Sequence, residues 1–175
     1  MNKYILLTLS SILFGIILFL YFNEIIIINV HKIELKKEML SNGYKKNIDL
    51  FYWKNNKWNK ESIDILWTNS LEQNIYQIVN NWLMLLDEEK ITNKKITLQS
   101  ALIANSVLYV SFDSSLFSED FSTYKKLMVL ESILKTLREN KIEITQVYFL
   151  VHHEIMEDHH LDFSNTWPTV GFLNC

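Results

Sequence analysis

The sequence predicts an α/β domain of the α+β kind: a small mixed sheet with two helices on one face, in βαββαβ-like order, preceded by an N-terminal transmembrane helix. Three observations lead there. An uncharged apolar run opens the chain, two later segments carry apolar residues at helical spacing, and short β-prone segments flank both of them. On this reading the 175 residues divide into an anchor at 1–23, a connector at 24–46, a domain at 47–166 and a C-terminal tail at 167–175. With 49% hydrophobic residues the domain can bury a core, which excludes a disordered chain.

The run Tyr4–Phe22, YILLTLSSILFGIILFLYF, holds no charge over nineteen residues. A helix of that length reaches ~28 Å, near the hydrocarbon thickness of a bilayer. Thr8, Ser10 and Ser11 can bond back to helical carbonyls, while Tyr4, Tyr21 and Phe22 suit the two interfaces. A cleaved signal peptide needs a small-x-small site, which LYFNEIIIINV does not offer, and a lipoprotein signal needs a cysteine just after the run. An uninterrupted N-terminal run of this length also fits a membrane span better than a buried soluble helix. Lys3 before the span and Glu24 after it favour the N-terminus inside and the domain outside, against a contrary pull from Lys32, Lys36 and Lys37.

Beyond the connector, Ile48–Trp53 (IDLFYW) reads as a strand and KNNKWNKE as a polar turn; Ser62–Trp67 alternates apolar residues as a second strand. Ser70 opens a helix, with Gln73 three residues on completing a capping box. Its stripe is Leu71, Ile75, Ile78, Trp82 and Leu85, widened by Val79 and Leu86. Thr97–Ile103 and Val107–Phe112 are strands joined by ANS. Ser118 or Ser122 caps a second helix to about Asn140, with Leu127, Leu130, Ile133, Leu134 and Leu137 on one face. Ile144–His152 is the last strong strand, with Val147, Phe149 and Val151 sharing a face. Glycine (3) and proline (1) are scarce, so the turns fall to Asn, Asp and Ser.

This ordered series resembles the GerMN domain of bacterial sporulation, germination and related envelope proteins, over about residues 48–166. IDLFYW is similar to the family's opening strand and NNWLMLLDEE to the end of its first helix. LQSALIANSVLYVSFDSSLF resembles the paired strands that follow, with a V-x-V-x-F-D/S-type pattern at Leu108–Asp113. LESILKTLRENKIEITQVYFLV resembles the second helix and last main strand, and LDFS at 161–164 the short return. The chain departs from the family in lacking turn glycines around 87–96 and 152–160, in lacking a lipoprotein cysteine and in carrying one copy. The resemblance implies an extracytoplasmic, non-enzymatic assembly or binding module.

The stretch VHHEIMEDHH at 151–160 is the candidate for chemistry. His152, His153, Glu154, Glu157, Asp158, His159 and His160 are all zinc-ligand types, and zinc catalysis needs such groups to converge with one position open for water. HEIME at 153–157 nearly writes H-E-x-x-H, but Glu157 stands in place of the second histidine and the segment follows a strand pattern. The expectation is a solvated hairpin turn, with metal binding and pH response as the sharper readings. Ser114, Ser115 and Ser118 lack the glycines of a nucleophile elbow, and Glu154 with Glu157 implies no cleft. Trp53, Trp58, Trp67 and Trp82 could stack on sugars; Trp82 lies on the helix stripe and reads as core, which leaves Trp58 as the exposed candidate. Cys175, the lone cysteine, is followed by no residues and so cannot head a prenylation box. The formal net charge of −3 argues against a nucleic-acid partner.

The expectation is therefore a single-pass membrane protein presenting a non-catalytic interaction domain on the extracytoplasmic side. No catalytic, cofactor-binding or metal-ligating residue is assigned. Its expected partner is a protein or another copy of itself; its membrane contact runs through residues 4–22. The alternatives are a metal-dependent envelope hydrolase using His152–His160 and a module binding cell-wall carbohydrate.

Overall fold

A computed structural model describes residues 43–171; the expected anchor at 4–22, most of the connector and Cys175 lie outside the described residues. Nine elements follow in order: β1 Tyr44–Lys54, β2 Lys57–Trp67, α1 Leu71–Glu88, β3 Leu98–Ala104, β4 Val107–Phe112, α2 Thr123–Glu139, β5 Gln146–Val151, β6 Glu154–Ile155 and β7 Trp167–Pro168. The helices and the five long strands stand near where the sequence places them, except that the turn expected over KNNKWNKE shrinks to Asn55-Asn56: Lys57–Glu61, though polar, pair with Lys54–Leu50 and start β2 five residues early. Among the described residues no helix is long and apolar enough to cross a membrane.

The single mixed sheet expected from the sequence is instead two sheets. β1 and β2 form an antiparallel pair of their own, and the second sheet runs β3-β4-β5-β6, with β7 also paired to β5. β4 and β5 are parallel, as they must be with α2 crossing between them. The first hairpin stays separate because α2, not another strand, lies along the outer side of β1. Thr136 Oγ1 accepts the Phe51 N–H at 2.9 Å, and Asn140 both accepts from Asp49 N (3.1 Å) and donates to Asp49 O (2.7 Å). From α1, Trp82 Nε1 donates to Phe51 O at 3.2 Å. Side chains thus take bonds that a third strand in this sheet would have made, which blunts an otherwise open edge.

Local chemistry explains where the elements stop. Ser70 accepts the Gln73 N–H at 3.3 Å, as expected, but the return half of the box is made by Thr68, whose hydroxyl accepts the Ser70 N–H. Ser122, not Ser118, caps α2 by accepting the Lys125 N–H. Both helices end identically. The N–H of Ile91 bonds Leu86 O and that of Lys90 bonds Asp87 O; Ile142 bonds Leu137 O and Lys141 bonds Arg138 O. This is the Schellman arrangement, and its left-handed residue is a lysine both times, φ 53° at Lys90 and 55° at Lys141. Three two-residue turns also have both residues at positive φ: Asn55-Asn56, Asn105-Ser106 and His152-His153. The missing turn glycines are therefore replaced by residues that bear a left-handed backbone at a cost.

The domain also runs past the boundary expected at 166. Trp167 and Pro168 pair with Val147 and Gln146, and Thr169 N–H bonds Thr145 O. Gly171, at φ 80°, is needed as glycine: a Cβ there would come within 2.5 Å of the Glu131 carboxylate. At the other end the first strand begins at Tyr44, three positions before the expected start.

Candidate interaction surface

The histidine stretch divides. His152 and His153 are the turn between β5 and β6; their N–H groups bond Phe112 O and Ser111 Oγ, and their rings lie against Gln99 and Ser100 of β3. His160 turns elsewhere, its Nδ1 lying 3.3 Å from Lys126 Nζ on α2. Among the described residues no three His, Cys, Asp or Glu side chains are grouped to hold a metal ion.

A pair that the sequence reading missed lies under this loop. Lys126 and Asp158 are both buried and form an ion pair. Asp158 Oδ1 also accepts the N–H groups of His160 and Leu161. Burial pushes the Asp158 carboxyl up, but Lys126 and these backbone donors more than offset it, so the group titrates below its ordinary range. Lys126 precedes Leu130, Ile133, Leu134 and Leu137 at helical spacing, so its place on the core-facing stripe was visible. Nothing local in the sequence names Asp158 as its partner. The pair fastens the 156–163 loop to α2, with Met156 and Phe163 buried beneath it. Beside it opens a groove of about 1170 Å³, lined by charged groups that include Glu119, Asp158 and Asp162 as well as Lys94 and Lys126.

The tryptophans are mostly engaged. Trp58 stands edge-on to Trp53 at 5.2 Å between centroids, with Lys135 Nζ 5.5 Å from its ring, and is half-buried. Trp82 is fully buried. Trp53 and Tyr124, not Trp58, line a smaller groove of about 450 Å³ at the tip of the first hairpin.

The larger feature is a whole sheet face. Side chains alternate along strands, so β4 and β5 show two unlike faces. Leu108, Val110, Phe112, Val147 and Phe149 are buried in one core with α1 and α2. Of the intervening residues, Tyr109, Tyr148 and Leu150 are half-buried outside that core, with the Tyr148 hydroxyl donating to Ser164 O, while Ser111 is fully buried, its hydroxyl accepting the His153 N–H. Register places Leu102, Tyr109 and Tyr148 in one row across β3, β4 and β5, and Ser100, Ser111, Leu150 and Ile155 in the next. The Tyr109 and Tyr148 rings pack at 5.7 Å, Leu102 is 62% exposed and Ile155 is 49% exposed. None of the residues in these rows carries a carboxylate or an ammonium group.

No protein-family model matches the chain, and no curated protein matches it. Among solved structures, the fold is similar to the tandem GerMN domains of the sporulation protein GerM from Bacillus subtilis. That match has a TM-score of 0.47 and 16% identity; it covers 74% of this chain and 46% of that one, so the chain spans about half the length of the tandem structure. It is also similar to a protein assigned provisionally as a lipoprotein from Clostridium perfringens, with a TM-score of 0.44 and 16% identity over 74% of this chain and 92% of the other. The domain named by the first of these structures is the one that the sequence motifs resemble.

Proposed function

We propose that this chain is a membrane-tethered, extracytoplasmic, non-catalytic assembly module. The run at 4–22 holds it in the bilayer, and the domain is displayed on the far side for a protein partner or another copy. The resemblance of residues 48–166 to GerMN domains supports the class of role, and the uncharged run supports the tether. The observation that carries the assembly part is the sheet face bearing Leu102, Tyr109 and Tyr148, which lies outside the core. On this face Leu102 and Ile155 are exposed beside the half-buried Tyr109 and Tyr148, and apolar side chains grouped at a surface mark interaction sites. The first hairpin makes the contrast, since its outer edge is taken up by Thr136 and Asn140.

Two measurements test this. A membrane-impermeant maleimide should label Cys175 in intact cells; labelling only after permeabilisation would place the domain on the cytoplasmic side. A photo-reactive amino acid at Tyr148 in the membrane-bound chain should form a covalent adduct with a protein, while the same probe at Trp82 should not. No adduct at Tyr148 in the folded chain would sink the assembly reading.

A further inference from the structure

We infer that the groove at the tip of the first hairpin binds an acidic glycan, whose ring faces lie against Trp53 and Tyr124 and whose carboxylates meet Lys90 and Lys125. This goes beyond the assembly reading and takes from it only the extracytoplasmic location, where glycans are met.

Three elements build the groove. Trp53 and the turn Asn55-Asn56 come from the hairpin, Lys90 from the end of α1, and Tyr124 and Lys125 from the first turn of α2. Its volume, about 450 Å³, and its make-up, aromatic walls with a few polar groups, are those of a small-ligand site. Trp53 and its cross-strand neighbour Trp58 point away from the buried Ile48 and Leu50, and neither belongs to the core. Trp53 is edge-on to Trp58 on one side and to Tyr124, 6.4 Å between centroids, on the other, so the rings form a strip that runs into the groove. Tyr124 is 56% exposed. Packing of the core therefore gives no reason for these rings.

Charge selects the ligand. The chain has a formal net charge of −3, yet the groove sets three lysines against one glutamate. Glu89 is taken by Lys54 at 2.5 Å, whereas Lys90 and Lys125 are in no ion pair among the described residues. Lys125 is also placed against a local rule: the helix dipole disfavours a cation in the first turn, and α2 has no acidic residue there to offset it. The side-chain amides of Asn55 and Asn56 are exposed and make no hydrogen bond among the described residues, and an amide both donates and accepts. A glycan containing uronate rings answers all three features. It has C–H faces for the aromatic rings, hydroxyls for the amides and spaced carboxylates for the two ammonium groups. A nucleic acid fits less well, because its affinity rises with the number of phosphates neutralised, and two unpaired lysines on an acidic chain neutralise few.

The test titrates the full chain, in nanodiscs of uncharged lipid, with a hexasaccharide alternating glucuronate and N-acetylglucosamine, read by calorimetry. Chitohexaose, with as many rings and no charge, is the comparison. The acidic sugar is expected to bind roughly tenfold tighter than chitohexaose. Tyr124→Ser should weaken both sugars, and Lys90→Gln with Lys125→Gln should bring the acidic sugar down to the affinity of chitohexaose. The circular dichroism spectrum should stay unchanged in both variants, and the double variant should lose no thermal stability. Equal affinity of the parent chain for the two sugars, no binding of either, or indifference to both variants would overturn the inference. So would tighter binding of a six-nucleotide oligothymidylate than of the acidic sugar. No binding by a chain whose Cys175 is labelled from outside removes this inference alone; binding by a chain whose Cys175 labels only after permeabilisation removes the location and leaves the site.

Discussion

β4 and β5 present two faces built from alternate residues of the same short strands. On one, Val110 and Phe149 are fully buried against both helices; on the other, Tyr109 and Tyr148 pack on each other outside the core. Local propensity cannot separate them, because Tyr, Val, Leu and Phe are all good strand formers. What separates them is which side the crossover helix returns on. The two stripes of α1 and α2 can cover one face, and the chain supplies no third helix among the described residues to cover the other. A face buried in the chain's own core contributes stability, whereas the other, half-buried at Tyr109 and Tyr148, leaves Leu102 and Ile155 exposed for contact with something else.

The largest expected effect is the direct test of that difference. Phe149→Ala should cost about 3–5 kcal/mol of folding stability by urea denaturation, the range for emptying an aromatic core site. Tyr148→Ala should cost less than about 1.5 kcal/mol, the scale of losing its ring contact with Tyr109. Equal costs at the two sites would abolish the distinction between the faces.

The buried ion pair beside the core comes next. Lys126→Met should cost about 3 kcal/mol, the lower end for breaking a buried pair, because Asp158 keeps the N–H groups of His160 and Leu161. The sign with pH follows from the lowered carboxyl. Asp158 contributes its full stabilisation above the unfolded-state value near 3.8 and loses it as pH falls through the lower folded-state value. Thermal melts of the parent should therefore lose stability below about pH 4, and Asp158→Asn should lack that part of the acid slope. An unchanged slope would show that the pair does not hold the 156–163 loop to the core.

The smallest effect calibrates the others, since it touches neither face. Lys141→Gly should stabilise by roughly 0.5 kcal/mol: relief of a left-handed backbone, ~1–2 kcal/mol, outweighs the chain entropy that glycine adds, ~0.5–1 kcal/mol. A loss of stability on calorimetry would mean that the Lys141 side chain makes a contact worth more than its backbone strain.

Much of the fold was legible because its signals are short-range. The Ser70 cap, the α1 stripe from Ile75 to Leu86 and the alternation of Val147, Phe149 and Val151 are each written within a few residues, at the period of one helix turn or one strand pleat. The His152-His153 turn was legible as a turn, though not as a left-handed pair, because histidine is not a residue that turn chemistry leads one to expect there. The candidate surface was less visible. Tyr109, Leu102 and Tyr148 lie in three separate strands, and only the pairing register aligns them.

By itself, then, the amino-acid sequence determined the order and kind of the long elements, their caps and the residues that point into the core. The tertiary structure alone decided that Thr136 and Asn140 close the edge of β1 from 85 and 91 positions away, that Lys126 meets Asp158, that Trp167 returns to pair with β5, and that Leu102 and Ile155 stay exposed on one sheet face. The physical reason is range. Periodicity and capping act between near neighbours, whereas edge closure, buried pairing and coverage of a face depend on which distant surfaces the helices reach once they have packed.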